Sequence, residues 1–132
     1  PAPLFTDFDT PDTALRNCLE QAIADNTITA ASQLATLNCS HAGITTLQGL
    51  SAFSGLTSIR LSSNVLRNLV ELGAITLLEV IQLDSNRIVD PVPLYQLPAL
   101  RYLDLSGNPD LQCPATGAFL QVENLILPEH CR

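Results

Sequence analysis

The side chains with the most chemistry to offer are four cysteines, Cys18, Cys39, Cys113 and Cys131, placed as two pairs toward opposite ends of the chain. An even set of cysteines permits disulfides, and thiolates together with His41 and His130, close in sequence to Cys39 and Cys131, are also zinc-binding donor types. The zinc reading needs a tight ligand spacing, and neither a Cys-x-x-Cys nor a His-x-x-x-His occurs. Three further groups invite a test. Asp84 and Asp104 could form an acid/base pair, His41 with Ser40 or Ser62 a nucleophile and its base, and Asp7, Asp9 and Asp12 a calcium loop. The value of each depends on the elements that position it.

Those elements follow from an internal period. Three segments align without a gap: Leu56-Thr57-Ser58-Ile59-Arg60-Leu61-Ser62-Ser63-Asn64, Leu78-Glu79-Val80-Ile81-Gln82-Leu83-Asp84-Ser85-Asn86, and Leu100-Arg101-Tyr102-Leu103-Asp104-Leu105-Ser106-Gly107-Asn108. The step is 22 residues. Projected outward, it reaches two weaker rungs, Leu34, Leu37 and Cys39 with Ala42 in place of Asn, and Val122, Leu125 and Leu127 followed by His130. Five rungs with degenerate outer members are what a solenoid requires, because its end repeats face solvent. The segments match the L-x-x-L-x-L-x-x-N signature, and in this the chain resembles the leucine-rich repeat family.

The resemblance implies an α/β leucine-rich repeat solenoid, right-handed, with a short parallel sheet on its concave face. Residues 1–33 are assigned to an N-terminal helical cap, 34–121 to repeats, and 122–132 to the last rung and C-terminal cap of a single domain. In each rung the last two leucines are two apart and share the inner side of a strand, while the intervening residues face out. Asn64, Asn86 and Asn108 stand where the chain leaves each strand. A column of amides there can satisfy the backbone of buried turns, a structural role. Beyond them, apolar residues recur every third position, as in Leu66, Leu69, Leu72 and Ile75, which predicts 3₁₀ or polyproline-like convex turns. Pro91, Pro93 and Pro98 agree with that. The stretch Asn86-Arg87-Ile88-Val89-Asp90-Pro91-Val92-Pro93-Leu94 resembles the convex turn of bacterial internalin-like repeats, implying a bacterial secreted or surface protein.

At the front, Thr10-Pro11-Asp12 predicts a helix start with Pro11 at the first helical position, and Leu15, Cys18, Leu19, Ala22 and Ile23 then share one face. Cys18 points inward to Cys39, an inward strand position. Cys113 and Cys131 bracket the fifth rung and resemble the cysteine-stapled caps of extracellular repeat proteins. Disulfides Cys18–Cys39 and Cys113–Cys131 would each contribute roughly 3 kcal/mol and imply an oxidising compartment, whether periplasm, cell surface or medium.

Five adjacent strands arrange their outward residues in columns. One runs Thr36, Ser58, Val80, Tyr102, Asn124; the next Asn38, Arg60, Gln82, Asp104, Ile126; a third Ser40, Ser62, Asp84, Ser106, Pro128. Arg60, Val80, Gln82, Asp84, Tyr102 and Asp104 form the candidate binding patch at their centre, since Tyr and Arg are enriched at binding hot spots. Glu79, Arg101 and Glu123 read as a cross-strand charge ladder. The catalytic readings weaken on this scaffold. Asp84 and Asp104 lie on an open face with nothing to separate their pKa values, and His41 has no oxyanion donors beside it. The three N-terminal aspartates lack the glycine and distal glutamate of a calcium loop and read as helix caps. Asn38-Cys39-Ser40 matches a glycosylation pattern only formally, around a buried cysteine.

Composition narrows the partners. The chain has 132 residues, 46 % of them hydrophobic, six Lys and Arg together, and a net charge of −7. Every one of the six is Arg, and without a basic stripe neither nucleic acid nor an anionic membrane surface is an expected partner. No apolar run approaches the roughly 18 to 20 residues that cross a bilayer. The opening Pro1-Ala2-Pro3 reads as a mature or excised segment lacking its targeting signal. The sequence predicts a monomeric interaction module without cofactor, metal or catalytic residues, binding a protein or glycan ligand through the concave sheet. Its alternative is a structural spacer within a longer extracellular protein.

Overall fold

The computed structural model describes residues 3–132; the part of the N-terminal cap assigned to Pro1 and Ala2 lies outside the described residues. Five three-residue strands, β1 (Thr36–Asn38), β2 (Ser58–Arg60), β3 (Val80–Gln82), β4 (Tyr102–Asp104) and β5 (Asn124–Ile126), form one parallel sheet in chain order. Register follows the repeat without slippage: Thr36 pairs with Ser58, Ser58 with Val80, Val80 with Tyr102 and Tyr102 with Asn124. Both weak rungs are therefore true strands. Period-two alternation puts Leu37, Ile59, Ile81 and Leu103 inside, each no more than 1 % exposed, over a core of leucines that runs through all the rungs.

A parallel sheet this narrow leaves its flanking turns buried, so their backbone groups need partners. The asparagines supply them. Asn64 accepts at Oδ1 from Ala42 and Ile44 N–H (3.1 and 3.0 Å) and donates from Nδ2 to the Cys39 and Leu61 carbonyls (3.0 and 2.9 Å). Asn86 and Asn108 repeat the arrangement one and two rungs on, each joining its own turn to the preceding one. The residue just before this position is left-handed in four consecutive rungs, at His41, Ser63, Ser85 and Gly107. Three of these four are not glycine. In return the N–H of His41, Ser63 and Ser85 donates across to the next rung, to Ser62, Asp84 and Ser106 carbonyls.

The convex turns are of mixed type. Leu50–Ala52 and Val92–Leu94 are 3₁₀ turns, while Val70–Gly73 (α2) is a single α-turn. The expectation of 3₁₀ or polyproline geometry throughout is corrected there. In α2 the Gly73 N–H bonds to the Leu69 carbonyl, an i to i+4 bond 3.4 Å long. Glu71 on that turn accepts from the N–H groups of Gly49 and Ser51 in the preceding one (3.1 and 3.2 Å).

The cap helix α1 spans Thr13–Asp25 and buries Leu15, Leu19 and Ile23. It begins two residues later than the sequence suggests. Asp12, not Thr10, is the N-cap, accepting from Leu15 N–H (3.0 Å), and Pro11 precedes the cap. The same carboxylate accepts from Thr45 N–H and Oγ1 (2.8 and 2.9 Å) and from Thr46 N–H, which ties the cap to the first convex turn. A side chain serving two elements cannot be inferred from one local signal. Phe5 and Phe8 fold back onto Phe53 with ring centroids 5.8 and 5.4 Å away. The backbone passes so close that a Cβ on Gly49 would fall 2.0 Å from the Asp9 carbonyl oxygen.

Candidate interaction surface

The disulfides join Cys18 to Cys39 and Cys113 to Cys131, with Cα separations of 5.9 and 5.4 Å. Each staples one end of the solenoid. Donor atoms of Cys113, His130 and Cys131 lie within 4.8 Å of one another, but both sulfurs are consumed by the disulfide and are not thiolate ligands. The ring of His130 instead lies with Nε2 2.8 Å from the Leu111 carbonyl oxygen, at the place where a further ladder asparagine would stand.

On the open face of the sheet, the six candidate residues separate into two groups. Arg60, Val80, Gln82 and Tyr102, with Arg101, line one depression of about 330 Å³ over β2, β3 and β4. The aspartates do not line it. Asp84 accepts from Ser62 Oγ, 2.6 Å away, and Asp104, only 8 % exposed, accepts from Ser106 N–H and Oγ (3.0 and 2.7 Å). Their oxygens are turned to serine hydroxyls, and each interaction fixes an exit from a strand. Arg101 belongs to the depression although its spacing suggested only a charge ladder. Its Nε meets Glu79 Oε1 at 3.3 Å, whereas Glu123 forms no ion pair among the described residues. The ladder is thus a single pair, and the terminal nitrogens of Arg101 make no hydrogen bond among the described residues.

Several of the groups weighed for catalysis or calcium binding have other partners. Ser40 Oγ bonds to Asn38 Oδ1 (2.9 Å) and Ser62 Oγ to Asp84, so neither hydroxyl bonds to the His41 ring among the described residues. Asp9 faces Arg16 at 3.8 Å and Asp12 is the helix cap, which leaves the N-terminal aspartates apart in role. Partial burial pushes the Asp12 carboxyl upward in pKa, but hydrogen bonds from Thr45, Leu15 and Thr46 outweigh it and hold the group below the usual aspartate value. A larger depression, about 610 Å³, sits by the C-terminal cap among Ser106, Asn108, Leu127, Glu129, His130 and Arg132. No helix among the described residues is long and apolar enough to cross a membrane.

Neither a protein-family model nor a curated protein sequence matches the chain. Solved structures do. Over 94 % of its length the chain is similar to internalin C2 of Listeria monocytogenes, with a TM-score of 0.77 at 21 % identity. The fold is that of a leucine-rich repeat solenoid. A second L. monocytogenes internalin, InlF, matches 74 % of the chain (TM-score 0.69, 20 % identity), and the functional domain of InlJ, which includes a cysteine ladder, matches 85 % (TM-score 0.56, 20 % identity). The solenoid spans less than two thirds of each of these proteins, 60 %, 31 % and 30 % respectively. It has no comparable column of cysteines, since the inner position held by Cys39 is leucine at 61, 83, 105 and 127.

Proposed function

We propose that this leucine-rich repeat domain is a non-catalytic protein-interaction module of a secreted or surface-exposed bacterial protein, and that it engages its ligand through the open face of the sheet. The observation that carries the reading is the depression lined by Arg60, Val80, Gln82, Arg101 and Tyr102 on a backbone held rigid from behind by the asparagine column. An aromatic ring, an aliphatic wall and donors without partners among the described residues are the ingredients of an interface anchor. Two disulfides support an oxidising compartment, and the likeness to internalins supports the bacterial surface setting.

The test is a double substitution on folded protein, Arg60→Glu with Tyr102→Ala. A ligand isolated with the parent should bind the variant at least about tenfold more weakly, given the 1 to 2 kcal/mol typical of anchors. Equal affinity would move the contact off the sheet and leave the repeats as a spacer.

A further inference from the structure

The depression is lined by two guanidinium groups, Arg60 and Arg101, and by no carboxylate. Arg60 is exposed and, among the described residues, takes part in no ion pair or side-chain hydrogen bond. Outside the depression, Asp84 bonds to Ser62 and Asp104 to Ser106, Glu79 pairs with Arg101, and Glu123 is exposed on the last rung. The pairing of Arg101 through Nε orients its guanidinium toward the same depression while leaving its terminal nitrogens for a second acceptor. In a chain of net charge −7, a depression lined by two guanidinium groups, one of them in no ion pair among the described residues, is a local exception to which a negative group would be drawn.

We propose that this depression anchors an acidic side chain of the protein partner, with Arg60 as its charged contact. The inference rests on the reading of the sheet as the interaction surface. Val80 and the Tyr102 ring wall the site and suit the methylenes of a glutamate or aspartate, while Gln82 and the Tyr102 hydroxyl add hydrogen-bond donors without partners among the described residues. An acidic sugar fits less well. Glycan sites depend on exposed aromatic platforms, and here a single half-buried tyrosine faces out in a chain without tryptophan.

The experiment follows the Arg60 and Arg101 Nε–Hε signals and the Val80 methyls by NMR at low salt. Probes are acetylated, amidated hexaglutamate, the matching hexaglutamine, and glucuronate. Hexaglutamate should give saturable shifts at all three positions and hexaglutamine none. Arg60→Gln should weaken that binding about three- to fivefold, as an exposed ion pair allows, whereas Arg87→Gln, an exposed arginine off the sheet, should leave it unchanged. Equal effects of the two substitutions would reduce the site to general charge attraction and overturn it. Equal binding of hexaglutamine would overturn the carboxylate while sparing the sheet as the surface, and saturation by glucuronate alone would replace the protein side chain with a sugar acid. Shifts confined to residues off the sheet would remove both readings.

Discussion

The two ends of the solenoid solve the same problem with different means. At the N-terminal end, α1 places Leu15, Leu19 and Ile23 over the first rung, all at most 3 % exposed, and Phe5 and Phe8 close the flank against Phe53. At the C-terminal end, Val122, Leu125 and Leu127 are only partly buried, Leu120 is 84 % exposed, and the cover consists of turns, a Tyr95–Phe119 edge contact and the second disulfide. One end is closed chiefly by packed apolar surface, the other by a covalent bond around a thinner core. The contrast teaches that similar staples, enclosing 21- and 18-residue separations, need not protect equally. Where packing already orders a segment, losing the bond leaves much of the structure in place.

The contrast can be broken most directly at Leu19. Truncation to Ala should cost about 3 to 4 kcal/mol in urea unfolding, as for a fully buried leucine whose cavity cannot collapse. A loss below about 1 kcal/mol would mean that the helix does not supply the closure. Removing the second disulfide with Cys113→Ala and Cys131→Ala should cost about 3 kcal/mol from loop entropy. It should also expose β5 to hydrogen exchange, with the Asn124 amide, bonded to Arg101, losing protection before the middle strands. Cys18→Ala with Cys39→Ala should leave the β1 amides protected relative to that. The reverse order would invert the comparison.

A smaller effect sharpens the N-terminal half. Asp12→Ala should cost about 1 kcal/mol or somewhat more at neutral pH, because it removes a helix cap and its links to Thr45 and Thr46. Since the folded carboxyl titrates below its unfolded value, its contribution is complete above about pH 4 and fades as the pH falls through the folded value. Parent and variant stabilities should therefore converge in acid; a gap that widens there would rule out the bonded carboxylate as its source. Least of all, Leu125→Ala in the partly open last rung should cost no more than about 1 to 1.5 kcal/mol, well under its counterpart Leu103 in the middle.

The repeat itself was legible because each rung restates the same constraint. Leu56, Leu78 and Leu100, with their companions three and five positions on, leave one register that buries them all, and the weak rungs follow by projection. Features that occur once were harder to read. Phe5 and Phe8 have no counterparts in other rungs, so nothing in the period announced their return to Phe53. Pro11 is acceptable both inside and just before a helix start, and only the second demand on Asp12, from Thr45, decides between them. On the sheet, column positions indicate which residues face out but not which of them are already engaged. Serine hydroxyls at 62 and 106 draw Asp84 and Asp104 aside, and Glu79 swings Arg101 toward the depression.

The unbroken 22-residue register has a consequence for how such a chain can change length. Excising residues 66–87 would bring Ile88 to the place of Leu66, with Asn108 following where Asn86 stood and each column closing on its own kind. A cut one residue longer or shorter would have to be absorbed in the joined convex turn, where the buried apolar residues and the asparagine bonds follow the same 22-residue step. Growth and loss in this architecture therefore come in whole rungs, and the width of the open face is a quantity that gene duplication can count.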